Sequence, residues 1–218
     1  MLTDKIFNFP LYITHSMCYV NIMNSSNHLS RKERARKTRN RIVFEATKLF
    51  ARQGYHKTTI ADICSAVGLT SGALFHYFPT KEALLNAVIE RLRRGIVLYS
   101  EYLDSISYSN FDAVEEMVNL MCDHFERQPE ATICLASLAT EFAGGHHRIE
   151  MRLKEVYEDF VNSLTRVFNT HPGVENPRAA AIAFIGASQG VAVQGLLREG
   201  EVSIRELARG FLSILRKW

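Results

Sequence analysis

From residue 42 onward, apolar side chains recur at three- and four-residue intervals, and polar or glycine punctuation divides the chain between them. Ile42, Ala46, Leu49 and Phe50 share one helical stripe that stops at Gly54. Ser30-Arg-Lys-Glu33 ahead of it is a capping box, in which each side chain can satisfy a free backbone N–H of the other residue. Thr58 and Thr59 open a second helix, Thr70 a third, and Thr80 a fourth that carries Leu84, Leu85, Val88 and Leu92 to about Tyr99. Helices follow over about Phe111–Gln128, Pro129–Ala143, His147–Asn169 and Asn176–Glu199, and the Ser203-Ile-Arg-Glu206 capping box opens a last one through Leu207, Phe211 and Leu215. No segment sustains the two-residue alternation of a half-buried strand. The pattern predicts an all-α protein of about nine helices.

Within this series, residues 58–78 predict two short helices joined by a tight turn. Ile63, Val67, Leu69, Leu74 and Tyr77 are spaced to fill the wedge between them. Gly68 falls where the chain must take a positive φ to leave the first, and Thr70 can cap the second. Units of this shape lay their second helix in the major groove of DNA.

Charge sharpens that expectation. The chain has 218 residues, 47% of them hydrophobic, and a formal net charge of only +3. Residues 30–95 carry 14 Lys and Arg against 5 Asp and Glu, whereas residues 96–218 carry 11 against 17. A basic head on an acidic body suits a partner that is a polyanion and meets only the head. Cys18, Cys64, Cys122 and Cys134 form no CxxC pair or metal spacing; the last three fall in apolar helical patterns and are expected as core residues of a reducing, cytoplasmic setting. No uninterrupted apolar run reaches the ~18 residues of a membrane span, so no membrane partner is expected. In residues 1–29, Asp4, Asn8, Pro10 and His15 break the apolar patches, which excludes a signal peptide's continuous core. This leader is expected to be disordered.

The run Tyr55-x-x-Thr58-Thr59-x-x-Asp62-Ile63, then Gly68-Leu69-Thr70-x-Gly72-x-Leu74-Phe75-His76-Tyr77-Phe78-x-Thr80-Lys81-Glu82-x-Leu84, resembles the head of the TetR/AcrR (tetracycline-repressor) family of bacterial regulators. The resemblance covers about residues 39–92; beyond them it is one of helix count. Beside the leader (1–29), it implies a helix-turn-helix DNA-binding domain (30–79) and a helical effector-binding and dimerisation domain (80–218). It places Ser71, Gly72 and Phe75 where base contacts occur, and Thr59, Ala73, His76, Tyr77 and Lys81 where phosphate contacts occur. Thr58, Thr70 and Arg39 complete the expected DNA surface. Phe75 stands where the family usually has Tyr, so a hydroxyl contact is lost, and Cys64 stands where it usually has Ala. DNA shape, or the basic arm of Arg31, Lys32, Arg34, Arg36, Lys37, Arg39 and Arg41, must carry more of the specificity.

In the body, the small residues Ala183, Gly186 and Gly190 suggest close helix packing, and the resemblance implies that with Leu207 and Phe211 they form half of a four-helix contact across a dimer axis. Met117, Met121, Phe125, Leu138, Glu141, Phe142 and Phe160 are the candidate lining of a pocket for a small hydrophobic effector, with Glu141 as a carboxylate for a cationic group. His146 and Glu150, four residues apart, are too few for a metal site. No cofactor is expected, and no Ser/His/Asp grouping, paired carboxylates or phosphate-cradling loop indicates an enzyme. The expected function is a ligand-responsive repressor that binds double-stranded DNA, at a pseudo-palindromic operator, as a homodimer. The alternative is an architectural or partner-controlled DNA-binding protein without an effector.

Overall fold

The structure, a computed structural model, describes residues 30–105, 111–145 and 147–215, and the leader expected to be disordered lies outside them. Among the described residues there are nine helices: α1 (Arg31–Gln53), α2 (Ile60–Val67), α3 (Ser71–Tyr77), α4 (Lys81–Ser105), α5 (Phe111–Arg127), α6 (Pro129–Phe142), α7 (His147–Phe168), α8 (Pro177–Leu197) and α9 (Ile204–Leu215). The chain divides into two compact units, residues 1–40 and 41–218. In the first, the Ser30 N–H donates to the Glu33 carboxylate and the Glu33 N–H to the Ser30 hydroxyl, closing the anticipated capping box.

The larger unit is organised by two apolar clusters. The first joins Ile42, Phe50, Ile63, Val67, Leu74 and Phe78 of the head to Leu84, Leu85 and Val88 of α4, and to Leu138 and Phe142 of α6 and Val156 of α7. The second lies among Tyr99 and Leu103 of α4, Met117 of α5, Phe160 and Leu164 of α7, Phe184 of α8 and Leu212 of α9. α4 runs six residues beyond the predicted end at Tyr99, because Tyr99 and Leu103 continue its apolar stripe into the second cluster. α7 packs most extensively on α4 and α8, and so borders both clusters.

The short helices α2 and α3 are held by their ends as well as by their apolar faces. Thr59 caps α2, its hydroxyl accepting from Asp62 N–H at 3.1 Å while the Asp62 carboxylate accepts from Thr59 N–H at 2.8 Å. Gly68 leaves α2 at φ 66°, and the N–H of Leu69 donates to Cys64 O, a left-handed exit that only glycine takes without a steric penalty. Thr70 then caps α3 through Ala73 N–H, and Thr80 caps α4 through Ala83 N–H. Cys64, Cys122 and Cys134 are buried free thiols, and burial pushes the Cys134 thiol up to about 12.

Leu74 is the apolar anchor of α3 and is fully buried. Leu74→Ala should lower unfolding stability by about 2–5 kcal/mol, measured by urea denaturation. An unchanged midpoint would contradict this packing.

Candidate nucleic-acid interface

α3 presents Ser71, Gly72, Phe75 and His76 to solvent, with Thr70 exposed at its cap. Leu74 and Phe78 turn into the first cluster on the opposite side. Phe75, at 42% exposure, is a large aromatic ring left outside the core. Ala73, expected at a phosphate-contacting position, is half-buried, and so is Tyr77, which the spacing also placed in the wedge between the helices. Tyr77 packs on the first cluster, because the helix has only seven residues and its last turn must close against the head. No atom outside the local chain lies within 4 Å of where a Cβ on Gly72 would sit, so its side of the helix is open to a close approach.

Thr58 departs from expectation. It is fully buried, and its hydroxyl donates to Gly54 O at 2.7 Å, so the side chain braces the α1–α2 turn and does not face outward. Thr59 is exposed but occupied as a cap. Arg39 is exposed on α1 within the first unit. Arg41, the next basic residue, donates to Val67 O and so satisfies the carbonyl end of α2.

Lys81 is engaged within the chain. Its Nζ lies 4.2 Å from the centre of the Tyr55 ring and donates to His56 O at 3.4 Å. Partial burial lowers its pKa, against the opposing pull of Glu141 and Asp62.

The candidate effector residues do not come together. Leu138 and Phe142 belong to the first cluster; Met117 and Phe160 belong to the second, where Met121 packs at the edge, and Phe125 is also buried. Glu141 points instead at the α1–α2 turn, where its carboxylate accepts from Tyr55 N–H and His56 N–H, each at 2.7 Å. Its carboxylate is therefore committed to that turn. A cleft of about 320 Å³ lies elsewhere, between α4 and α7, with Glu90, Arg93, Glu155 and Asp159 on its walls. Of the rejected metal pair, the Glu150 carboxylate accepts from Gly144 N–H, and His146 lies outside the described residues.

On α8, Ala183, Gly186 and Gly190 are exposed, with Ile182 at 52% and Leu197 at 70%. Open space surrounds Gly186 and Gly190, whereas a Cβ on Gly195 would meet Ile204 of α9 at 3.1 Å. Leu207 and Phe211, expected on the outer face, are half-buried within the chain. The Phe211 ring lies 5.8 Å from that of Phe184, and Ile214, at 59% exposure, occupies the outward position on α9. α8 is also long and apolar enough to cross a membrane by length and composition, although its glycines and polar residues break any continuous apolar run.

With this geometry in place, comparison with known proteins is decisive for the head. Residues 42–88 match the family described as bacterial regulatory proteins, tetR family. Over these residues the chain carries a TetR-family head. This is a family of transcriptional regulators, not of enzymes. The regulator UidR of Escherichia coli (strain K12) is 32% identical over 92 residues, which is 42% of this chain and 46% of UidR. The chain thus spans about half the length of that relative. The transcriptional repressor KstR2 of Rhodococcus jostii (strain RHA1) is 27% identical over 192 residues, covering 78% of this chain and 85% of KstR2. In fold, the MbdR regulator from Azoarcus sp. CIB superposes with a TM-score of 0.72 at 23% identity, over 82% of this chain and 96% of that one.

Glu141 in its turn-holding role and Arg41 at the end of α2 were missed from sequence, since both partners are distant in the chain. The Asp62 cap was missed too, although its three-residue spacing from Thr59 makes it a local pair. The hydrogen bonds from the Thr59 backbone and hydroxyl hold the Asp62 carboxyl below its ordinary 3.8. For Glu141, partial burial alone would raise the pKa, but the donors of His56 and Tyr55 outweigh it and hold the group below its ordinary 4.5. Both depressed carboxyls stabilise the fold fully above those ordinary values, and the stabilisation is lost as pH falls through the lower folded-state values. Asp62→Asn should therefore flatten the acid side of the melting-temperature profile below about pH 4. Superimposable native and variant profiles there would refute the assignment.

Proposed function

We propose that this protein is a TetR-family transcriptional repressor that binds a pseudo-palindromic DNA operator as a homodimer, reading it with the exposed face of α3. The observation that carries the reading is the two-sidedness of α3: Leu74 and Phe78 bury one side, while Thr70, Ser71, Gly72, Phe75 and His76 leave the other open. The basic balance of residues 30–95 suits a phosphate backbone, and the 27% identity to a protein named as a repressor supports the direction of control. Ser71, Gly72 and Phe75 are assigned to bases. Thr59, Thr70, Ala73, His76, Tyr77, Lys81 and Arg39 are assigned to phosphates, with Lys81 exchanging its contact with His56 O for a phosphate oxygen.

Dimerisation is supported by the outer face of α8. Glycines inside a helix cost about 0.5–1 kcal/mol each, and no packing within the chain requires them at Gly186 and Gly190. Close approach of a second α8 would explain both, and would cover Ile182 and Leu197. Two heads would then meet half-sites ~34–36 Å apart or a multiple of it.

Effector control, the finer part of the reading, would require an apolar ligand to part α5 from α7, since Met117 and Phe160 are closed into one cluster. That closed core favours, as a second reading, control of the same DNA-binding head by a protein partner. A thermal-shift screen separates them, because a sensor is stabilised in proportion to ligand concentration.

Selection from a random duplex library at two salt concentrations should return an inverted repeat, with affinity falling steeply as salt rises. Ser71→Ala should change the preferred sequence, whereas Lys81→Ala should weaken binding to all sequences alike. A Lys81→Ala protein of native affinity would overturn the phosphate assignment. Gly190→Glu should convert the dimer to a monomer in sedimentation and lower operator affinity by at least about tenfold. A variant that stays dimeric would remove α8 from the interface.

A further inference from the structure

The turn between α1 and α2 is clasped from three helices. Gly54 leaves α1 at φ 80°, and the N–H groups of Tyr55 and His56 that follow it point into one concavity, an arrangement suited to an anion. The anion is supplied by the chain itself. Glu141 divides its two oxygens, Oε2 accepting from Tyr55 N–H and Oε1 from His56 N–H, with the His56 ring Nδ1 also 2.5 Å from Oε1. A Cβ on Gly54 would come within 3.1 Å of Oε2, so glycine is required by space as well as by φ. The Tyr55 ring packs edge-on against Phe50 of α1 and in a tilted pair with Phe142 of α6, while Lys81 of α4 sits over it.

Glu141 lies in the last turn of α6, where the helix dipole disfavours a carboxylate and where no basic residue stands. The position makes sense only through what the side chain holds. Its grip passes along the turn to Thr58, whose hydroxyl returns to Gly54 O, and to Thr59, which caps α2. It also passes to Lys81, through the Tyr55 ring and His56 O.

We infer that Glu141 is a positioning residue for DNA binding: its carboxylate, held by the Tyr55 and His56 N–H groups, fixes the α1–α2 turn, and with it Thr59 and Lys81, in the geometry that receives phosphate. This rests on the DNA-binding reading above and assigns the body's hold on the head to one side chain. A glutamine there keeps the shape, but turns an NH₂ group toward one of the two N–H donors and removes the charge.

The test compares the full-length native protein with Glu141→Gln and with Val161→Ala, a variant in the second cluster chosen to lower stability comparably. Amide hydrogen exchange is followed in the free proteins, and affinity is measured for a random duplex pool and for the duplex enriched from it. In Glu141→Gln, protection at Tyr55 and His56 should fall about tenfold or more, and affinity for the enriched duplex should weaken about tenfold with its sequence preference retained. Val161→Ala should show neither effect. A further variant, Lys81→Ala combined with Glu141→Gln, should weaken binding by less than the product of the two single effects, because both act through one turn.

Unchanged exchange at Tyr55 and His56 in Glu141→Gln would overturn the joint whatever the protein binds. Changed exchange with native DNA affinity would overturn its positioning role. Altered exchange in a protein whose native form ignores both duplex preparations would leave the joint in place and overturn the DNA-binding reading, together with the role derived from it.

Discussion

A helix-turn-helix of this size cannot bury enough apolar surface to stand alone, and that constraint shapes the larger unit. α2 has eight residues and α3 seven, well below the length at which an isolated helix persists in water. Their stability must come from burial, and the residues that supply it belong to other helices. Leu84, Leu85 and Val88 of α4 and Leu138 and Phe142 of α6 complete the cluster around Ile63 and Leu74. The head therefore shares its apolar interior with the body. Any rearrangement of α4 or α6 acts on the seat of α3, because a close-packed interior transmits displacement instead of absorbing it.

The polar contacts at this junction follow from the same constraint. A turn pressed against an apolar cluster must find partners for its backbone N–H groups, since leaving such donors unsatisfied costs about 1–3 kcal/mol each. Glu141 satisfies two of them with one carboxylate, and Thr58 satisfies the Gly54 carbonyl from the other side. Lys81 covers the exposed face of Tyr55. Groups that look like surface polarity in sequence thus work as fastenings between chain segments.

The far end of the molecule has the opposite character. α8 places Phe184 and Ile185 inward against the second cluster, and leaves Ile182, Gly186, Gly190 and Leu197 outward. Hydrophobic surface of this kind on a helix with so few charges is costly to leave in water, and its small residues suit another helix at close range. One helix thereby serves the chain's own core on one side and, in the proposed dimer, the partner copy on the other.

What could be read from the sequence was local. The Thr59–Asp62 and Ser30–Glu33 boxes, the glycine exit at Gly68 and the Thr70 and Thr80 caps all join residues within five positions of one another, so residue type and spacing determine them. The same holds for the helix series and the inward side of α3, where Leu74 and Phe78 follow from periodicity. Tertiary structure decided whatever depends on a partner far along the chain. Glu141 meets Tyr55 across 86 positions, Arg41 meets Val67 across 26, and Phe211 turns to Phe184 instead of outward. Thr58 and Thr59 are adjacent and chemically alike, yet one is sealed inside and the other exposed, because burial is set by what packs over a residue and not by the residue itself.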